Sequence, residues 1–288
     1  MCKHVTATTD FATTIRRDAL SILYHANSGH PGGALSCSDI IAYLWQHELG
    51  YKSSDWQQPD RNRLVLSKGH SVAAIYAAAG RSGLIEPAHA SSLRKLGSPL
   101  QGHPHVLDTP WVETSTGSLG QGFSVSIGMA LGLRHQNIGA RVYVILGDGE
   151  LQEGEVWEAA MSAAHFKLDN LCAIVDYNKL QSDDLNENIM GLEPLVDKWL
   201  SFNWSVQEID GHDEKEINSA IANAKTVRGK PSVIIAHTVK GKGVSFMEGV
   251  PAWHGSVKIT ADQLKHALED LGASQEQIEM YLNGTFWC

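Results

Sequence analysis

Cysteine is scarce in this 288-residue chain: Cys2, Cys37, Cys172 and Cys288 lie far apart, and none forms a Cys-x-x-Cys pair. The spacing argues against a disulfide-stapled scaffold or a cysteine-based zinc module and points to a reducing compartment. Basic charge is in deficit, 23 Lys and Arg against 32 Asp and Glu, for a net charge of −9. That argues against a general nucleic-acid binder. No apolar run approaches the length of a membrane span, and the N-terminus carries no signal-peptide core. The expectation is a cytoplasmic protein with neither nucleic acid nor membrane as partner. With 43% hydrophobic and 19% charged residues, the chain reads as folded rather than disordered. The sequence has no linker, repeat or low-complexity tract. Residues 1–288 are therefore expected to form a single domain.

What is present is organised around residues 141–184. An apolar, β-branched run, Val142-Tyr143-Val144-Ile145-Leu146, breaks at Gly147-Asp148-Gly149. A helical pattern follows over 151–166, and a second apolar run from Leu171 to Val175 ends in Asp176-Tyr177-Asn178. Strand, turn, helix, strand predicts that Asp148 and Asn178 share the carboxyl edge of a parallel sheet, where ligands bind. A carboxylate and an amide oxygen suit magnesium, which prefers hard oxygen ligands and completes its octahedron with phosphate oxygens. The flanking glycines let the backbone approach an anion, and a helix N-terminus offers it unpaired N–H groups. Gly-Asp-Gly alone is more often an ordinary strand-to-helix turn. The asparagine at the end of the next strand is what favours the site.

Elsewhere the pattern predicts a first helix capped by Thr9-Asp10 and running to about residue 25, and a turn-forming loop over 27–33. A second helix, capped by Ser36 or Ser38, is expected to pass through Trp45, and 51–62 to be loop. Strand 63–66 ends in Ser67-Lys68-Gly69-His70, with a helix after it to Ala79 and another over 87–96. Loops follow at 97–110 and 114–122, then a helix over 123–135. A polar loop is expected over 178–191, strands at 206–209 and 232–236 around a helix at 214–227, and closing helices at 261–271 and 275–282. Alternating strands and helices predict an α/β fold, a parallel sheet covered on both faces. Four of the 14 histidines, His30, His70, His103 and His254, sit in Gly- or Pro-containing loops. Imidazoles there can bind phosphate or sugar hydroxyls and carry protons. The tight spacings of zinc modules are missing from the sequence.

The text from Gly147 through Asn178 resembles the signature of thiamine-diphosphate enzymes. Gly147-Asp-Gly-Glu-Leu-Gln-Glu-Gly154 with Asp176-Tyr-Asn-Lys-Leu180 is similar to transketolase in particular, and the likeness runs from the first helix to His254. It implies the thiamin-diphosphate-binding fold. It also implies Asp148, Asn178 and the Leu180 carbonyl as ligands of Mg²⁺, which Ca²⁺ or Mn²⁺ can replace. Gly149 is expected to give its N–H to the diphosphate. Ser28-Gly-His-Pro-Gly32 makes His30 a substrate ligand, and Ser67-Lys-Gly-His70 assigns His70 to diphosphate and substrate. Gly102-His-Pro104 sets His103 beside the donor's reacting carbon, and Trp253-His-Gly255 sends His254 to both diphosphate and substrate. The loop Gly117-Ser118-Leu119 lies beneath the aminopyrimidine in this resemblance, with Ser118 where many relatives have proline. Glu153 matches an acidic residue near the subunit contact, although a helix N-terminus favours a carboxylate in any case.

The resemblance covers only the N-terminal half of a usual transketolase. The glutamate that activates the pyrimidine, its aromatic clasp and the basic residues for the sugar phosphate find no match here. This implies a split enzyme, with a second chain carrying the pyrimidine and C-terminal domains in a two-plus-two heterotetramer that transfers two-carbon ketol units between sugar phosphates. The alternatives are a subunit of another thiamine-diphosphate enzyme or a non-catalytic phosphate-binding module. Thr238-Val-Lys-Gly-Lys-Gly243 resembles deoxyxylulose-phosphate synthase, and a 2-oxo-acid dehydrogenase is a further possibility in the same class.

Overall fold

Five parallel strands form the sheet in the order β1-β2-β3-β7-β6. They are β1 (Arg63–Leu66), β2 (Val142–Gly147), β3 (Leu171–Tyr177), β6 (Ser205–Asp210) and β7 (Ser232–His237). A two-stranded hairpin, β4 (Leu180–Gln181) with β5 (Asp184–Leu185), stands apart from it. This computed structural model describes residues 7–51 and 56–287. Cys2 and Cys288 fall outside the described residues. The predicted α/β architecture holds.

The apolar strands are continuous because both of their faces are buried. Val142, Val144 and Leu146 of β2 enter one core with Leu171, Ala173 and Val175 of β3. Tyr143 and Ile145 enter the other, with Cys172 and Ile174. The first core lies under α5 (Gln121–His135), α6 (Gly154–His165) and α8 (Leu195–Ser201). The second lies under α1 (Thr8–Ala26), α3 (Ser38–Tyr43), α4 (Val72–Arg81) and α9 (Glu214–Thr226). The last helices, α10 (Ala261–Asp270) and α11 (Gln275–Asn283), dock on α1. Ser21 Oγ of α1 donates to the Tyr281 carbonyl at 2.7 Å. Each opens with a capping box, Thr260 with Gln263 and Ser274 with Gln277, which satisfies N–H groups the helix cannot. The register sets Gly147 beside Asp176 and Tyr177 beside His237, so three strands end level at one edge.

Local predictions failed where side chains or turns compete with periodicity. The loop expected over 27–33 is already α2 (Pro31–Ser36) from Pro31 onward, because a proline at the first helical position costs no hydrogen bond. The chain then resumes as α3 and a wider π-wound turn, Leu44–Leu49. Thr9 and Asp10 do not cap α1, which starts behind Ala7 without a side-chain cap. The helix expected over 87–96 is a single turn, Pro87–His89. Ser92 Oγ bonds back to the His89 carbonyl at 2.9 Å, and Arg94 takes φ +60°, outside the helical region. The helix expected from Leu151 starts at Gly154, after a tight 3₁₀ turn, Gly149–Gln152. The loop expected over 178–191 contains the hairpin and α7 (Asn186–Met190), and α8 was not anticipated.

Candidate active site

The level strand ends enclose a cavity of about 230 Å³. At the end of β2 the buried Asp148 accepts the Gly149 N–H at 2.8 Å and the Lys179 N–H at 2.5 Å. Burial, and then the charge of Asp176, push its carboxyl up to about 6. After β3, Asn178 Oδ1 accepts the Leu180 N–H at 3.2 Å, while its amide nitrogen donates to Asp176 Oδ2 at 3.3 Å. The Leu180 carbonyl accepts from the Lys240 ammonium at 2.5 Å. Asp148, Asn178 and Leu180 thus line one cavity. Their donors are all oxygens, and the buried Asp148 has a charged form that a cation would stabilise. The set fits a hard divalent ion.

Below this layer lies a buried ion pair. The Lys68 ammonium bonds Asp176 Oδ2 and donates to the Gly33 carbonyl at 3.1 Å. Asp176 also accepts from the hydroxyls of Ser36 (2.6 Å) and Thr238. Burial alone would raise the Asp176 carboxyl, but Lys68 and these donors hold it below its ordinary value. Beside it Glu150 accepts the N–H groups of Gly120 and Gly147, each at 2.9 Å, and the Ser67 hydroxyl. Glu150 therefore ties the loop at Gly120 to the end of β2.

Three of the predicted histidines form one cluster. Ring centroids are 5.1 Å apart for His30 and His70, 5.5 Å for His70 and His254, and 5.9 Å for His30 and His254. Burial first, then neighbouring cations, lower His30 to about 4 and His254 to about 3, and His70 well below its ordinary range. All three are neutral at neutral pH. His254 Nδ1 lies 2.6 Å from the Lys240 ammonium and so accepts from it. The proton of His254 is then on Nε2, available to a ligand. Burial lowers Lys240 to about 8. His30 Nδ1 is buried and has no hydrogen-bond partner among the described residues.

Gly117, Leu119 and Gly149 line the cavity; Ser118 and Glu153 do not. Glu153 is exposed at the N-terminus of α6, while Glu150 lines the cavity beside Asp148. His103 also lies off the cavity wall, half-buried against Gly117, where an added Cβ would stand 3.3 Å from its ring. The sequence motifs assign no role to Lys68, Lys240, Glu150 or Gln181, which line the cavity, or to Asp176, which pairs with Lys68. Lys68 and Asp176 carry the same signal as Asp148, a polar residue closing an apolar strand. Lys240 lies just beyond β7, and Glu150 and Gln181 become visible only once the chain is folded.

A parallel sheet with hard-oxygen donors at adjoining strand ends suits an α/β domain that binds a metal and an anion at its carboxyl edge. The family model described as "Transketolase, thiamine diphosphate binding domain" matches residues 7–281, and the chain belongs to the transketolase family. It is 43% identical over 260 residues to the 6-deoxy-6-sulfo-D-fructose transketolase subunit SqwG of Clostridium sp. (strain MSTE9), covering 90% of this chain and 94% of that one. Identity to the A subunit of the apulose-4-phosphate transketolase of Phocaeicola vulgatus is 38% over 269 residues, covering 93% and 95%. The transketolase from Leishmania mexicana superposes with a TM-score of 0.89 at 29% identity, over 98% of this chain and 45% of that one. The chain therefore spans nearly the whole of the two bacterial subunits but less than half of the undivided enzyme. The expected likeness to a transketolase N-terminal subunit stands.

Proposed function

We propose that this chain is the diphosphate-binding subunit of a two-chain transketolase, which moves two-carbon ketol units between sugar phosphates. The observation that carries the reading is that Asp148, Asn178 and Leu180 line one cavity together with His30, His70 and His254, whose rings burial holds below the ordinary imidazole range. In this reading those oxygens hold Mg²⁺, or Ca²⁺ or Mn²⁺ in its place, and through it thiamine diphosphate, which supplies the carbanion chemistry. Lys240 adds positive charge for the diphosphate. The Gly149 N–H reaches the same anion once Asp148, which now accepts it, turns toward the cation. His70 and His254 serve diphosphate and substrate. His254 donates from Nε2 and His30 lines the same cavity, so both neutral rings can meet a substrate hydroxyl without adding charge. His103, at the rim, meets the donor substrate. Gly117, Ser118 and Leu119 carry the pyrimidine, and Glu153 sits toward the subunit contact.

The whole of the chain, 1–288, is taken as the diphosphate-binding domain alone. Its partner is a second polypeptide bearing the pyrimidine and C-terminal domains, in a two-plus-two assembly in the cytoplasm. The test is a ketol-transfer assay with Mg²⁺ and thiamine diphosphate, on the chain alone and mixed with candidate partner subunits. The chain alone should be inactive and one mixture active. Ketol transfer by the isolated chain, freed of any partner as judged by mass spectrometry, would overturn the split-subunit reading.

A further inference from the structure

Lys240 touches both the Leu180 carbonyl and His254, so a small displacement would disturb two sides of the cavity at once. It stands three residues beyond the end of β7, where strand pairing no longer fixes the backbone. The Val239 N–H beside it takes a histidine as its partner. It donates to His212 Nε2 at 2.9 Å. A ring nitrogen that accepts an N–H carries no proton, so the His212 proton is on Nδ1. That nitrogen lies 2.7 Å from Asp39 Oδ2. Asp39 is held in turn by Arg16, which meets both its oxygens and donates from Nε to the Leu35 carbonyl at 3.2 Å.

The chain turns sharply to bring His212 there. It follows β6 through Asp210-Gly211, and the Gly211 N–H donates to the His237 carbonyl at 2.8 Å. A Cβ at Gly211 would stand 2.5 Å from Thr238 Cγ2, so a side chain at this position would have to displace the Thr238 side chain. Thr238 is fixed from the other side by Asp176. The segment is gripped on both flanks: His212 holds the Val239 N–H, and beyond it the Lys240 carbonyl accepts the Gly249 N–H at 2.9 Å while the Gly241 N–H donates to the Gly32 carbonyl at 3.0 Å.

We propose that His212 is a positioning residue for the diphosphate site. Held in the Nδ1-protonated form by Asp39, it accepts the Val239 N–H and thereby sets where the Lys240 ammonium stands. The inference rests on the function proposed above. The logic is that of an orienting carboxylate behind a functional imidazole, except that the imidazole here orients backbone instead of touching a ligand. Losing such an outer contact costs roughly 10- to 100-fold in affinity for the bound group.

The first measurement needs only this chain. Long-range ¹H–¹⁵N correlation on histidine-labelled protein should show His212 protonated on Nδ1 and His254 on Nε2. His212 protonated on Nε2 would overturn the proposal without any variant. The second measurement is calorimetry of Mg²⁺–thiamine diphosphate binding to the two-chain complex with His212→Leu and His212→Gln. The leucine variant should lose at least about tenfold in affinity and blur the His254 proton signature. The glutamine variant, which offers an acceptor near the Nε2 position, should recover most of both. Unchanged affinity in His212→Leu, or a glutamine variant as weak as leucine, would refute the role. If His212→Leu does not fold, the glutamine variant and the tautomer decide. A wild-type complex that binds no cofactor would sink the proposed function instead, and the tautomer measurement would still stand.

Discussion

Replacing Lys68 with methionine should destabilise the fold far more than an average core change. Lys68 and Asp176 are 2% and 0% exposed, so water does not screen their pairing. Methionine keeps the aliphatic stem and removes only the ammonium, which leaves Asp176 buried among Ser36, Thr238 and Asn178 with no cation bonded to it. Breaking one side of a buried pair costs about 3–5 kcal/mol, a large part of the roughly 5–15 kcal/mol that holds a domain together. Lys68→Met combined with Asp176→Asn removes both charges, and its cost should fall short of the sum of the singles by about 1–3 kcal/mol. The pH dependence has a definite sign. In the wild type the depressed Asp176 carboxyl contributes stability above its unfolded value of 3.8, and this is lost as pH falls through the folded value. Without Lys68, burial dominates and favours the protonated acid, so the variant's deficit should shrink toward acid pH. Urea unfolding followed by the fluorescence of the buried Trp199 and Trp204 measures these differences. A loss below about 1 kcal/mol, or strict additivity of the two substitutions, would refute the reasoning.

The histidine cluster makes stability fall in acid. His30, His70 and His254 are lowered from 6.5, so between pH 6.5 and about 4 the folded chain binds fewer protons than the unfolded one, and stability is lost as pH drops. Substituting all three by asparagine should flatten a plot of urea midpoint against pH, and an unchanged slope would show that they titrate normally. Asp148→Ala should abolish Mg²⁺-dependent thiamine-diphosphate binding by calorimetry of the two-chain complex while the far-ultraviolet circular dichroism stays wild-type; unaltered affinity would remove Asp148 from the metal set. His103→Ala should lower kcat and kcat/KM together with cofactor affinity kept, since His103 lies off the cavity wall; normal turnover with weakened cofactor binding would move it to the cofactor.

How much of this could be read from the sequence depends on whether a contact follows from periodicity or from packing. The central strands were legible because residues buried on both faces leave an unbroken apolar run. Asp148 and Asn178 were legible because each closes or directly follows such a run, and the register then brings their ends level. The helix at 87–96 was misread because its composition suits a helix, while the Ser92 hydroxyl and the φ of Arg94 do not. The acidic residues after Asp148 show the limit most sharply. Glu150 and Glu153 sit three positions apart, and a continuous helix from Leu151 gives no reason to seat either in the site. The 3₁₀ turn at Gly149–Gln152 resets the phase, aims Glu150 inward to the Gly120 and Gly147 N–H groups, and leaves Glu153 exposed. His212 is harder still, because its partners Asp39 and Val239 are 173 and 27 positions away. Its neighbour Gly211 is a local trace, marking where an added Cβ would stand 2.5 Å from the Thr238 side chain. Residues that meet a ligand cluster at strand ends and can be found there. Residues that hold those strand ends in place are scattered through the chain and become visible only when it is folded.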